Sequence, residues 1–215
     1  LLVNLYERRD DGLLRYRRSL IGLARKNGKS LLGSVIALYG LIEGEAGGEV
    51  YAAAGDRMQA RVVFNEAKWQ INNSPALAGI CKVFRDVIEV PSTGAIFRVL
   101  SADAKLQQGL NPSTVILDEV HIQPNEELFD ALSLGMGARK DPQLVGITTA
   151  GFDPDTLCGR LYNYGKRVIS GDQVDERFGM WWWEAPEGCL VSDRDGWAAS
   201  NPNLTEGLLD MEDME

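Results

Sequence analysis

Ala24-Arg25-Lys26-Asn27-Gly28-Lys29-Ser30 is the stretch on which the fold turns. Before it stand Leu20, Ile21 and Leu23, in a segment from Tyr16 to Ala24 that reads as a strand. After it come Leu31, Leu32, Val35, Ile36, Leu38, Leu41 and Ile42, spaced as on a largely buried helix from Lys29 to Glu43 that Gly44 ends. A strand, a loop ending in Gly-Lys-Ser and a helix can meet phosphate groups with backbone N–H donors, a lysine and a hydroxyl able to ligate magnesium. The common pattern G-x-x-x-x-G-K-[ST] asks for glycine where Leu23 stands, so spacing alone leaves a chance tripeptide and a phosphate loop equally open.

Thr114-Val115-Ile116-Leu117-Asp118-Glu119 separates the two. Four β-branched or apolar residues running into two acids predict a strand covered on both faces. Ligands gather at the carboxyl ends of such strands in a parallel sheet. With a phosphate loop nearby, Asp118 would hold magnesium and Glu119 would orient or deprotonate an attacking water. An isolated Asp-Glu pair is more often a solvated turn at the end of a strand. A lysine loop after one strand and an acid pair after a later one instead indicates nucleotide hydrolysis.

The whole chain is compatible with this reading. Its 215 residues, 45% of them hydrophobic, provide one substantial core and a tail. No run approaches the roughly 20 apolar residues that span a bilayer, and no signal peptide is read. Cys81, Cys158 and Cys189 are odd in number and widely spaced, which predicts neither a disulfide framework nor a zinc site and favours a reducing cytosol. The net charge of −9 hides a gradient: residues 1–30 carry eight bases against three acids, whereas residues 171–215 carry twelve acids against Arg177 and Arg194. The loop end is locally positive, the tail repels nucleic acid, and composition marks no dedicated DNA-binding surface.

Glu49 to Ala54 predicts a second strand, and Asp56 a cap for a helix reaching about Ile71. Val87 to Val90 and Ala95 to Leu100 flank Pro91-Ser92-Thr93-Gly94 as a β-hairpin. Pro124 to Met136 reads as a helix with Leu128, Phe129, Leu132 and Leu134 inward. Leu144 to Thr148 is the next core strand, Thr156 to Ile169 a helix and Phe178 to Trp183 an aromatic strand. From Glu184 onward, Pro186, Gly188, Gly196, Pro202 and Gly207 break the pattern, as in a linker or wrapping arm.

Together with Ile147-Thr148-Thr149-Ala150-Gly151 and Asn201-Pro202-Asn203-Leu204, the loop and Leu117-Asp118-Glu119-Val120-His121 resemble the ATPase domain of the large terminase subunit of tailed phages, in the HK97-like group. That family accepts a non-glycine first loop position and favours arginine at the place of Arg25. The resemblance implies an α/β P-loop fold of the ASCE, RecA-like kind: a mostly parallel sheet with helices on both faces. It further implies an ATPase domain over 1–184 and a linker over 185–215 leading toward a C-terminal nuclease domain. An adenine-contacting segment with its glutamine is expected upstream of Leu1. The implied activity is magnesium-dependent ATP hydrolysis driving double-stranded DNA into a procapsid. Its setting is the bacterial host cytoplasm, in a homo-oligomeric ring with a portal protein and a small terminase subunit, and with no membrane.

By the same resemblance, residues Arg25, Lys26, Asn27, Gly28, Lys29, Ser30 and Leu31 would bind ATP. Lys29 would meet the β and γ phosphates, Ser30 and Asp118 would serve Mg2+, and Glu119, Arg25 and Lys29 would be catalytic. Thr148 and Thr149 would couple loss of the γ-phosphate to motion. Arg85, Arg98 and Arg139 are candidates for an arginine supplied to a neighbouring subunit. His121, in an Asp-Glu-Val-His that DExH helicases share, is read as positioning Glu119 or the following turn. Trp181, Trp182 and Trp183 are read as packing residues, since alternation sends them to opposite faces. A DExH-type helicase and a nucleotide-binding structural domain without hydrolysis are the alternatives. The former requires a second RecA-like domain, and retention of both Asp118 and Glu119 counts against the latter.

Overall fold

The computed structural model describes residues 1–100, 109–151 and 153–212. Gln107 and Gln108, to which the sequence assigns no role, lie outside them, as do the last acids Asp213 and Glu215. An eight-stranded sheet forms the centre: β1 (Arg18–Gly22), β2 (Glu49–Ala53), β3 (Lys82–Val83), β4 (Val87–Val90), β5 (Ala95–Val99), β6 (Thr114–Asp118), β7 (Gln143–Thr148) and β8 (Phe178–Trp182). Their order is β3-β4-β5-β2-β6-β7-β1-β8. From β5 to β8 every pairing is parallel, while β3, β4 and β5 pair antiparallel around the expected hairpin.

Alternation along the strands divides the core in two. Ile21, Val50, Ala52, Ile116, Val145 and Ile147 face one side, under α2 (Lys29–Ile42) and α3 (Arg57–Asn72). Leu20, Tyr51, Val115, Leu117 and Leu144 face the other, under α5 (Glu127–Gly135) and α6 (Leu157–Ser170). Every residue of β6 and β7 is buried, the consequence of a parallel strand covered on both faces. The tryptophans obey the same rule: Trp181 and Trp183 pack on the α2 side, Trp182 on the α5 side. Asp56 caps α3 by accepting the Met58 N–H at 2.8 Å, as its position predicts.

Gly40 explains one interruption of the apolar run in α2. A Cβ there would come within 2.5 Å of Thr114 Oγ1, so its absence lets the helix lie directly on the acid strand. One inward assignment is corrected. Leu134 is 80% exposed, and Met136, at 3%, takes the inward place. The positions 128, 132 and 136 share a helical face, and 134 lies away from it. Short elements without a sequence expectation also appear: α1 (Leu2–Leu5), α4 (Pro75–Ile80), β3, α7 (Arg194–Ser200) and α8 (Pro202–Thr205). Among the described residues no helix is long and apolar enough to cross a membrane.

Candidate nucleotide site

The loop leaves the carboxyl end of β1 and enters α2 at Gly28, whose φ of 75° is left-handed. Glycine takes that conformation without a Cβ penalty. No side chain caps this helix, and its first backbone bond runs from Leu32 N–H to Gly28 O at 2.9 Å. Among the described residues the N–H groups of its first turn are therefore open to an anion, and the helix dipole adds positive potential there. Arg25 and Lys26 are exposed, Lys29 and Ser30 half-buried, and Leu31 is half exposed on the first turn. The Lys29 ammonium rests on Ala24 O at 3.3 Å.

The order β1-β7-β6 places one strand between the loop and the acids. Asp118 and Glu119 stand at the end of β6, and Thr148 and Thr149 at the end of the intervening β7. The sheet thus gathers loop, acids and threonines at the carboxyl ends of its parallel strands. Burial lowers the pKa of Lys29, opposed by the carboxylates of Glu119 and Asp118 and assisted by Arg25. Asp118 is pushed up to about 6, first by burial and then by the neighbouring Glu119 charge. Its Oδ1 accepts the Glu119 N–H at 3.0 Å.

Two non-glycine residues among the described ones have positive φ, Lys26 at 63° and Glu119 at 49°. Both belong to this site, where strained backbone is held by its surroundings. The turn at Glu119 aims its carboxylate at His121: Oε2 lies 3.2 Å from Nδ1, yet it is buried with no aligned hydrogen-bond donor. His121 also reaches Thr148, through its backbone N–H at 3.0 Å and its Nδ1 at 3.1 Å. His121 thus touches both Glu119 and the end of β7. No group of three or more His, Cys, Asp or Glu side chains suited to a metal occurs among the described residues.

Of the three arginines named for a neighbour, Arg139 is engaged within the chain. It donates to Asn111 O at 2.9 Å and Gly47 O at 3.0 Å and pairs with Glu45 at 3.4 Å. Arg85 is 91% exposed at its side chain, and Arg98 is also exposed. Sequence reasoning gave two participants no role at the loop. Asn201 and Asn203, from the segment read as a linker, bond directly to Asn27 and Lys26 of the loop. The only signal was an Asn-Pro-Asn in an otherwise broken region.

These carboxyl ends of a mostly parallel sheet, with a lysine loop, an intervening strand and an acid pair, define a P-loop nucleotide-binding domain. The family described as "Terminase large subunit, ATPase domain" matches residues 1–167, and the chain belongs to it. It is 32% identical over 194 residues to the large terminase subunit of Enterobacteria phage HK97, covering 86% of this chain and 37% of that protein. The crystal structure of the HK97 large terminase superposes with a TM-score of 0.85 at 27% identity, over 99% of this chain and 44% of that one. A large terminase from a thermophilic bacteriophage, solved in complex with ADP, shares the fold at TM-score 0.64 and 11% identity, over 85% of this chain and 44% of its own. The chain thus spans well under half of these relatives. The family match gives no support to a helicase or to a structural domain without hydrolysis.

Proposed function

We propose that this domain hydrolyses the β–γ phosphoanhydride of ATP and, within the whole subunit, drives double-stranded DNA into a procapsid. One observation carries the reading: a helix N-terminus with no side-chain cap, bearing Lys29, lies at the same carboxyl ends of the sheet as the buried Asp118 and the half-buried Glu119. The free N–H groups of Lys29, Ser30 and Leu31 hold phosphate oxygens, helped by the Lys29 ammonium. Asn27 shapes the loop from behind, and Gly28 lets its backbone approach the ligand. Arg25 is near enough for its charge to depress Lys29 and His121, and it meets negative charge that grows on the transferred group. Glu119 takes the proton of the attacking water as the γ-phosphoryl leaves ADP. Thr148 and Thr149, joined to Glu119 through His121, pass the loss of the γ-phosphate to β7.

Magnesium fits the donor set. Asp118 is a carboxylate whose pKa burial raises, so a cation beside it relieves the cost of its charge, and Ser30 adds a hard hydroxyl oxygen. When bound, the ion neutralises β and γ oxygens. In this reading the subunit works in the host cytoplasm, docked on a procapsid as a ring with a portal protein and a small terminase subunit, and residues 185–215 form an arm beyond the 1–184 core. The arginine contributed across the ring is Arg85 or Arg98, since Arg139 is held by its own chain. The ADP complex of the thermophilic phage's large terminase supports a nucleotide as the ligand of this fold.

Steady-state ATP hydrolysis by the full-length subunit tests the mechanism. Glu119→Gln lowers kcat at least about 100-fold while ATP still binds. Unchanged turnover in that variant overturns the assignment. Packaging is read by nuclease protection of DNA mixed with procapsids, which the same variant abolishes.

A further inference from the structure

Asn27 is the buried side chain of residues 25–30, 7% exposed, between left-handed Lys26 and left-handed Gly28. Its Nδ2 shares two protons among three acceptors: Ala24 O at 3.4 Å, Arg25 O at 3.1 Å and Asn201 Oδ1 at 2.8 Å. Its Oδ1 accepts the Asn203 backbone N–H at 3.0 Å. Asn203 Nδ2 donates in turn to Lys26 O at 3.3 Å, the carbonyl of the strained residue. Asn201 is 3% exposed, and its own Nδ2 donates to Trp197 O at 2.9 Å and to Ser200 Oγ at 3.1 Å. One side-chain amide therefore joins the loop to the last turn of α7, and both of its polar ends are satisfied.

We propose that Asn201 is a positioning residue of the phosphate loop, and that the Asn27-Asn201-Asn203 junction lets residues 194–205 respond to occupancy of the loop. The proposal rests on reading the loop as a nucleotide site. A left-handed lysine persists only where its surroundings over-determine it. Here the arm supplies two of those restraints, one on the amide beside Lys26 and one on the Lys26 carbonyl itself. The Asn27–Asn201 bond is buried and the Asn203 N–H to Asn27 bond half-buried, so deleting one partner there leaves the other unsatisfied, whereas the Asn203–Lys26 bond is exposed and its loss costs less. Loop curvature and arm docking are then one equilibrium. Whatever the arm contributes to nucleotide affinity, nucleotide returns to docking of the arm. Bound nucleotide thus tightens residues 194–205, and its release loosens them.

Hydrogen exchange of the full-length subunit, with and without ADP, reads this directly, alongside ADP affinity by calorimetry. In the wild type ADP slows exchange across residues 197–205, and in Asn27→Ala it does not. Asn201→Ala weakens ADP binding about tenfold, the scale of one buried hydrogen bond left half-made, and speeds exchange at residues 24–30. The double variant binds no more weakly than Asn27→Ala, since both substitutions break one junction. Should Asn201→Ala fail to fold, Asn203→Ala deletes only the side-chain contact to Lys26 and weakens ADP by about two- to threefold. Tight ADP binding with exchange at 197–205 unaltered overturns the latch and leaves the nucleotide site standing. Wild-type protein that binds no ADP overturns the site and the latch together.

Discussion

His121 Nδ1 lies 3.1 Å from Thr148 Oγ1, and the contact ties the turn after the acid strand to the end of the strand beside it. The Thr148 hydroxyl proton is committed to Thr149 O at 2.7 Å, so toward the histidine Oγ1 can only accept. That places the proton of the neutral ring on Nδ1, an assignment made from the hydrogen-bond network. Burial holds the imidazole pKa below its usual value despite the Glu119 charge, which keeps the ring neutral at pH 7.

Removing this tie should cost turnover rather than affinity. His121→Ala is expected to lower kcat about tenfold, the lower part of what misplacing a general base costs, with KM for ATP little changed. His121→Asn, whose Nδ2 can stand near the lost Nδ1, should recover part of the loss. Steady-state kinetics decide it: a rise in KM with kcat intact would place His121 in binding instead.

Asp118 predicts a pH-dependent gain. The folded carboxyl keeps its proton up to about pH 6, against an ordinary value of 3.8. Between those values the folded chain binds more protons than the unfolded one, so stability falls as pH rises through the window. Above it the cost is complete, roughly 3 kcal/mol at about 1.4 kcal/mol per unit. Asp118→Asn should therefore stabilise the metal-free, nucleotide-free protein at pH 8, show little gain near pH 4, and abolish hydrolysis. Urea denaturation at the two pH values checks the sign, and a variant less stable at pH 8 would contradict it.

Lys26 is strained, but glycine in its place should gain little. Relief of a left-handed non-glycine residue contributes about 1 kcal/mol, and the added freedom of glycine in the unfolded chain removes about as much. Lys26→Gly is expected to fall within about 0.5 kcal/mol of wild type, whereas β-branched Lys26→Val should lose at least about 1 kcal/mol. Denaturant midpoints with equal slopes would register both, and a Val variant as stable as the Gly variant would refute the strain.

At Gly40 two effects oppose each other. Alanine improves helix propensity by about 1 kcal/mol, but its Cβ would press within 2.9 Å of Thr114 Cβ in β6. Overpacking of this kind costs about 1 to 3 kcal/mol, and here the contact is with a strand buried on both faces. Gly40→Ala should thus be destabilising by roughly 1 kcal/mol net, and Gly40→Ala with Thr114→Ala, which removes the nearest atom, Oγ1, should recover part of it. A thermal melt in which Gly40→Ala rises would show that the helix can shift away from the strand.

Most of the architecture was legible in the residues because it rests on local chemistry. Apolar runs covered on both faces announced β6 and β7, the helical spacing after Lys29 announced α2, and Asp56 and the 91–94 turn punctuated the chain where expected. The loop and the acid pair could be named from linear motifs because phosphate and metal chemistry demand those residue types in that order. The Leu134 error and the unexpected short helices come from weak periodicity, where a few residues fit either face.

Strand order is a different matter. That β7 lies between β1 and β6, bringing Thr148 to His121 and Glu119, follows from long-range pairing that no short window of sequence encodes. The same holds for Asn201, 174 positions from Asn27, which reads as a linker residue until the chain returns to the loop. Ala24 to Ser30 therefore pointed to a phosphate loop only when read beside Asp118-Glu119. What holds that loop in shape, including the left-handed Lys26 and the buried Asn27, comes from a distant segment, because a strained backbone needs partners that its neighbours in sequence cannot provide.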